Sequence, residues 1–259
     1  MSKIEKIKNQ KEPITCLTAY TYPIAKILDK YCDIILVGDS LGMAIYGMED
    51  TVDVTTQMMI LHGKAVTRAA NQALIVVDVP RGTFENSPNQ ALETAQKILK
   101  ETNCDAVKIE TSKEIVPTIK FLVENNIPVM GHVGLLPQKV REMGGYKYQG
   151  KDEESAAEIL QIAIDLEKVG AFAMVIEGVP AALAAKITKS VKIPTIGIGA
   201  SVECSGQVLV IDDMIGLNQI FKPRFVKNYS NVAKDIEDAV KRFCDDVKNK
   251  KFPGKEQMI

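Results

Sequence analysis

The sequence predicts a single-domain (β/α)8 barrel with its active site at the C-terminal ends of the strands. Three observations carry that prediction. About eight short apolar runs alternate with helical segments, a pattern that implies parallel strands joined by right-handed crossovers. No linker or shift in composition divides the 259 residues, and barrels of this size form one domain. Most of the runs end on a polar residue: Asp39, Asp78, Lys108 with Glu110, His132, Glu177 and Asp212. In a closed parallel barrel those ends converge on one face.

Taken in order, residues 1–12 are polar and predict a short lead-in helix or tail, and residues 14–18 read as the first strand. Thr21 and Pro23 supply a cap and an early-turn proline for a helix to about Lys30. Residues 34–37 are four branched apolar residues in a row, the mark of a strand buried on both faces. That run closes on Gly38, Asp39 and Ser40. Alone, such an aspartate can simply bond turn amides; the recurrence of the pattern argues for a site. Residues 55–70 predict a helix with Met58, Met59, Leu61, Ala65, Val66 and Ala69 as its apolar stripe.

Residues 74–77 form a second apolar run, ending on Asp78 with Pro80 beyond. Ser87-Pro88-Asn89-Gln90 has the form of a capping box, and Ala91, Ala95, Ile98 and Leu99 follow at helical spacing. Residues 105–110 are the next strand. Lys108 and Glu110, two apart, share one side of it. Thr111 and Glu114 look like another capping box, opening a helix to about Glu124. Residues 128–132 start on a proline, tolerated at a strand's first residue, and end on His132. The long glycine-rich connection 133–152 reads as a functional loop, a lid.

A helix follows with Ile159, Ile162, Ala163, Leu166 and Val169 on one face. After it come a strand at 172–176 ending on Glu177, an alanine-rich helix at 181–190, a strand at 194–199 and a strand at 208–211 ending on Asp212. Residues 230–259 read as an amphipathic helix with a charged tail.

Apolar residues make up 46% of the chain, charged residues 25%, and the net charge is -1. That composition predicts a soluble protein of small-molecule chemistry, with neither nucleic acid nor membrane as partner. The first ten residues are charged throughout and lack the apolar core of a signal peptide. The five cysteines form no Cys-x-x-Cys pair and fit reduced thiols, so a cytoplasmic location is expected.

Asp39, Asp78 and Glu110 are hard oxygen donors, a set that suits Mg2+ or Mn2+ rather than zinc. A 2-oxo acid can chelate such an ion, which then stabilises an enolate. For Lys108 three roles stay open: pairing with the substrate's carboxylate or enolate oxygen, forming a Schiff base, or making a structural salt bridge with Glu110. His132, at the predicted mouth, is a candidate substrate contact, and His62, on an apolar helix, reads as structural. Glu177 lies on a strand away from the metal carboxylates among Val175, Ile176 and Val179, and is the candidate general base. Gly197-Ile198-Gly199 lacks the rest of a dinucleotide fingerprint.

Several long motifs in order resemble the ketopantoate hydroxymethyltransferase family. They are Leu36-Val37-Gly38-Asp39-Ser40-Leu41-Gly42-Met43, Val107-Lys108-Ile109-Glu110, Gly131-His132-Val133-Gly134-Leu135 with Pro137-Gln138, Gly144-Gly145-Tyr146-Lys147 with Gln149-Gly150, and Ile196-Gly197-Ile198-Gly199-Ala200. The resemblance implies transfer of a hydroxymethyl group from 5,10-methylenetetrahydrofolate to 3-methyl-2-oxobutanoate, giving 2-dehydropantoate in pantothenate synthesis. It implies Mg2+ at Asp39 and Asp78, with Glu110 in the metal site. It further implies oxo-acid contacts at Asp39, Ser40, Asp78, Lys108 and His132, Glu177 as proton acceptor, and a cytoplasmic homodecamer. Thr21, Gly178, Ser201 and Asp212 depart from residues frequent in the family. The alternative is a metal-dependent oxo-acid lyase or aldolase of the phosphoenolpyruvate mutase/isocitrate lyase type.

Overall fold

The structure, a computed structural model, describes residues 1–219 and 223–258. Eight parallel strands close into a barrel in sequence order. They are β1 (Ile14–Thr18), β2 (Ile34–Val37), β3 (Leu74–Asp78), β4 (Ala106–Glu110), β5 (Val129–Gly134), β6 (Ala173–Glu177), β7 (Thr195–Ile198) and β8 (Gly206–Leu209). β1 pairs with both β2 and β8, which completes the ring. Residues 1–210 form one compact unit that holds every strand of the barrel; a second unit begins at Ile211.

In the first unit the helices are α1 (Lys3–Asn9), α2 (Tyr22–Leu28), α3 (Leu41–Tyr46), α4 (Thr56–Thr67), α5 (Pro88–Thr102), α6 (Val116–Glu124), α7 (Glu153–Lys168) and α8 (Ala181–Ser190). The expected polar lead-in is α1, closed at its start by a capping box between Ser2 and Glu5. Its Ile7 packs into the barrel core beside Ile14, Ile34, Leu74 and Val208. Lys3 Nζ bonds Ala73 O at 2.9 Å and Asp105 Oδ2 at 3.1 Å, both just ahead of strands. The lead-in therefore stoppers the N-terminal end of the barrel and leaves the other end for chemistry.

Several local expectations are corrected. On α4 the buried residues are Met59, Ile60, Gly63 and Val66, while Leu61 is exposed and Met58 and Ala65 are half-buried. The packed face runs through Gly63, where an added Cβ would come within 2.7 Å of the Thr102 methyl on α5. A count of apolar residues passes over the glycine that marks the contact. Thr111 caps nothing: its hydroxyl donates to Ile109 O, and Ser112 precedes a 3-10 turn at Lys113–Ile115 instead. Ser87 does cap α5 at the Gln90 amide, but the Gln90 side chain answers Asn86 rather than Ser87. Thr21 makes no side-chain cap bond, and α2 ends at Leu28.

The last strand is also shifted. Pairing with β1 runs from Gly206 to Leu209, and Ile211 already begins α9 (Ile211–Met214). The apolar run 208–211 thus straddles a strand end and a helix start, and Asp212 leaves the set of strand-end residues. In the second unit, α10 (Val232–Lys248) is capped by Asn231, and no residue of it is buried. The charged tail was expected to reach Ile259, which lies outside the described residues. No described helix is long and apolar enough to cross a membrane.

Candidate active site

Strand periodicity builds the site. Leu74 and Val76 of β3, Ala106 of β4, Met130 of β5 and Ala173 and Val175 of β6 belong to the barrel core. Side chains two apart share a face, so Asp78, Lys108 with Glu110, His132 and Glu177 continue those inward stacks at the strands' C-terminal ends. The lower layers of the barrel are apolar and the top layer is polar. Asp39 joins the layer from the turn after β2.

One bonded network connects most of this layer. Lys108 Nζ lies 2.7 Å from Asp78 Oδ1, and the Asp39 amide donates to Asp78 Oδ2 at 3.0 Å. The salt bridge of Lys108 is therefore made with Asp78 and not with Glu110, because β3 and β4 pair Asp78 directly with Lys108. Gln138 adds the rest. Its Nε2 donates to Asp39 Oδ2 at 2.8 Å and to Val79 O at 3.0 Å, and its backbone amide faces Glu110 Oε1 and Oε2 at 3.1 and 3.2 Å. Glu177 stands outside that network, with Oε2 3.3 Å from His132 Nε2. The contact lacks hydrogen-bond alignment, and both ring nitrogens of His132 are buried without a bonding partner. The Glu177 side chain is 15% exposed, against 3% for Asp78 and Glu110.

Burial and crowding shape the charges. Burial, with Asp78 beside it, pushes the Asp39 carboxyl up to about 7. Burial and then Asp39 hold Glu110 well above the usual carboxylate range. Burial alone would lower Lys108, but Asp78, Asp39 and Glu110 outweigh it and keep the ammonium charged. Burial lowers His132, which keeps the ring neutral. Three carboxyls, those of Asp78, Asp39 and Glu110, thus act on one ammonium. Among the described residues no three His, Cys, Asp or Glu side chains converge as a ready-made cage for a metal. The donor chemistry nevertheless fits a hard divalent cation that takes one or two carboxylates and keeps waters.

Comparison with known proteins fixes the family. A family model described as ketopantoate hydroxymethyltransferase matches residues 1–255. The chain belongs to the ketopantoate hydroxymethyltransferase family. A 3-methyl-2-oxobutanoate hydroxymethyltransferase of Rhizobium rhizogenes is 51% identical over 255 residues, covering 98% of this chain and 93% of that protein. One from Paracoccus denitrificans is 49% identical over 248 residues, covering 96% and 90%. The solved structure of 2,3-dimethylmalate lyase, a phosphoenolpyruvate mutase/isocitrate lyase superfamily member, superposes with a TM-score of 0.61 at 14% identity, over 100% of this chain and 92% of that one. At that identity the likeness is one of fold.

Like its hydroxymethyltransferase relatives by sequence, the chain is an enzyme, a transferase of the pantothenate pathway. Asp39, Asp78, Lys108, Glu110, His132 and Glu177 reach one mouth, and Asp212, which belongs to α9, ends no strand. Ser40, expected from the family motif, follows Asp39, and its hydroxyl bonds Tyr20 Oη at 2.8 Å. His62 is held by Tyr20 O at 2.6 Å and Tyr46 Oη at 3.0 Å. Gln138 was missed as a site residue. Composition gives a loop glutamine no mark, and only the Pro137-Gln138 piece of the family motif pointed to it.

The 133–152 connection is more ordered than a plain loop. β5 runs on to Gly134, whose φ of +96° and lack of a Cβ let the chain turn over β6: an added Cβ would sit 2.2 Å from Glu177 O. A 3-10 turn at Pro137–Lys139 then sets Gln138 inward. Arg141 grips Asp50 Oδ2 at 2.8 Å and Asp53 Oδ2 at 2.6 Å, and Tyr146 Oη lies 3.4 Å from Met43 Sδ. The Gln149 amide bonds Gly178 O at 2.8 Å. Met43 follows β2 and Gly178 follows β6, strands on opposite sides of the ring, so the segment crosses the mouth.

Proposed function

We propose that the chain transfers a hydroxymethyl group from 5,10-methylenetetrahydrofolate to 3-methyl-2-oxobutanoate, forming 2-dehydropantoate through an enolate. The observation that supports this most is a division of labour. Lys108, Asp78, Asp39, Gln138 and Glu110 form one bonded network, and the more exposed Glu177 stands apart from it beside His132. Asp39 and Asp78 would hold Mg2+ directly, with Glu110 behind them, and the bound ion would serve as a Lewis acid toward the oxo acid. Ser40 and the neutral His132 orient the substrate.

Glu177 takes the proton from C3, the electron pair of that C–H bond becomes the C2–C3 double bond, and the carbonyl π pair moves to the C2 oxygen. The Lys108 ammonium donates to the negative oxygen that forms. Water adds at the methylene bridge of the folate, both of its carbon–nitrogen bonds break, and tetrahydrofolate leaves with the water's two protons on its nitrogens. C3 bonds the formaldehyde-level carbon so released, and that carbon's oxygen takes the proton held by Glu177 to become the hydroxyl. The segment across the mouth limits bulk water while the enolate exists. A Schiff base at Lys108 needs a neutral amine, which the 2.7 Å contact with Asp78 opposes. The reading includes a cytoplasmic location and a homodecameric assembly, both carried over from the family.

Proton exchange at C3 of 3-methyl-2-oxobutanoate in D2O, followed by NMR without folate, tests the enolate half. Exchange is expected for the wild type and is expected to fall at least about a hundredfold in Glu177→Gln, the scale of a lost general base. No exchange in the wild type, with no 2-dehydropantoate on adding 5,10-methylenetetrahydrofolate, sinks the assignment.

A further inference from the structure

A cleft of about 420 Å3 opens beside the metal-side carboxylates, between the loops that follow β3, β4 and β5. It lies within the size range of small-molecule sites, roughly 300–1,000 Å3. Glu110 and Gln138 line it, so it is continuous with the network that holds Asp39. Phe84 and Ile115, both buried, give it apolar walls, and Arg81 and Lys139 line it together with the carboxylates of Glu85, Glu114 and Glu142. Arg81 is paired with Glu142, whereas Lys139, which acts on Glu114 only through the field of its charge, makes no direct ion pair among the described residues.

Gln138 supplies a second, independent observation. Both bonds of its Nε2 go to acceptors, Asp39 Oδ2 and Val79 O, which fixes the amide's orientation. Its Oε1 is then a buried acceptor with no donor, on a residue only 2% exposed. An orphaned buried acceptor costs stability unless a partner arrives. The missing partner is a hydrogen-bond donor, and the cleft's apolar walls favour a donor carried on a ring.

We infer that this cleft seats the one-carbon donor: the reduced pterin lies between Phe84 and Ile115, one of its ring N–H groups bonds Gln138 Oε1, and Lys139 pairs with a carboxylate of the glutamyl tail. Gln138 then touches both substrates' halves of the site, through Asp39 on one side and the pterin on the other. The inference rests on the hydroxymethyltransferase reading, and the oxo acid needs none of these cleft walls.

The test combines steady-state transfer with hydrogen–deuterium exchange mass spectrometry on the full chain, using tetrahydrofolate as the probe. Lys139→Glu reverses a charge in the cleft's lining, and Phe84→Leu keeps an apolar wall but removes the ring. Each is expected to raise the KM for 5,10-methylenetetrahydrofolate roughly fivefold or more, the scale of one partly exposed charge or one ring contact. The KM for 3-methyl-2-oxobutanoate is expected to stay within twofold. Tetrahydrofolate is expected to slow amide exchange in residues 81–86 and 112–115 of the wild type. Should the wild type transfer the hydroxymethyl group while both variants keep the donor's KM and the protected amides lie elsewhere, the cleft assignment is overturned and the function stands. Should the wild type exchange the C3 proton yet neither bind tetrahydrofolate nor use its methylene form, the donor itself is wrong and both statements fall.

Discussion

Lys108 and Asp78 are register partners on adjacent strands, and their side chains meet at 2.7 Å with both groups buried. This pair holds the one ammonium in a layer of four carboxyls. Its removal leaves charge that burial cannot solvate.

Lys108→Met is therefore expected to destabilise the protein by about 3–5 kcal/mol, the usual cost of breaking a buried pair from one side. Urea unfolding of the variant and of Lys108→Met/Asp78→Asn checks it. The double variant is expected to recover part of the loss, because the stranded carboxylate is gone.

Gln138→Ala removes the side-chain amide from Asp39 and Val79 while keeping the backbone amide on Glu110. Stability is expected to fall by about 1–3 kcal/mol, as buried acceptors lose their donor. C3 exchange is expected to slow as well, with the loss falling on kcat because Asp39 is no longer held. A variant with wild-type exchange would remove Gln138 from the site.

Asp29 makes a stability prediction that pH can read. Its Oδ1 accepts from the amides of Asn71, Gln72 and Ala73 at 3.0, 2.7 and 2.9 Å, tying the end of α2 to the approach to β3. Burial acts to raise this carboxyl, but the three amides outweigh it and hold it below the usual range. A carboxyl lowered by folding stabilises above its unfolded pKa of about 4 and loses that contribution as pH falls through its folded value. Asp29→Ala is expected to cost about 2–3 kcal/mol at pH 7. Denaturant midpoints of the two proteins should approach each other as the pH is lowered below about 4.

Metal removal separates the network from Glu177. EDTA-treated protein is expected to lose C3 exchange and regain it with added Mg2+, and Mg2+ at about 100 times its Kd is expected to add roughly 2.7 kcal/mol of stability. Asp39→Asn is expected to abolish that stabilisation, whereas Glu177→Gln is expected to retain it. Calorimetric titration of Mg2+ into each protein decides between them.

The barrel, the strand ends and most of the mouth are legible in the residue pattern alone. Runs such as Ile34–Val37 and Leu74–Asp78 are buried along their whole length, so period and polarity alone mark them as inner parallel strands. Residues two apart on a strand share a face, which is why Asp78, Glu110 and Glu177 could be named together without coordinates. Which of these groups bond one another comes from the packing of distant segments. Lys108 chose Asp78 over Glu110 through the register of β3 against β4, which no single strand encodes. Gln138 reaches Asp39 across 99 positions of chain, and Asp212 turned out to begin a helix because β8 pairs with β1 from Gly206. Periodicity is local and survives in the sequence, whereas register and loop closure are set by contacts between distant segments.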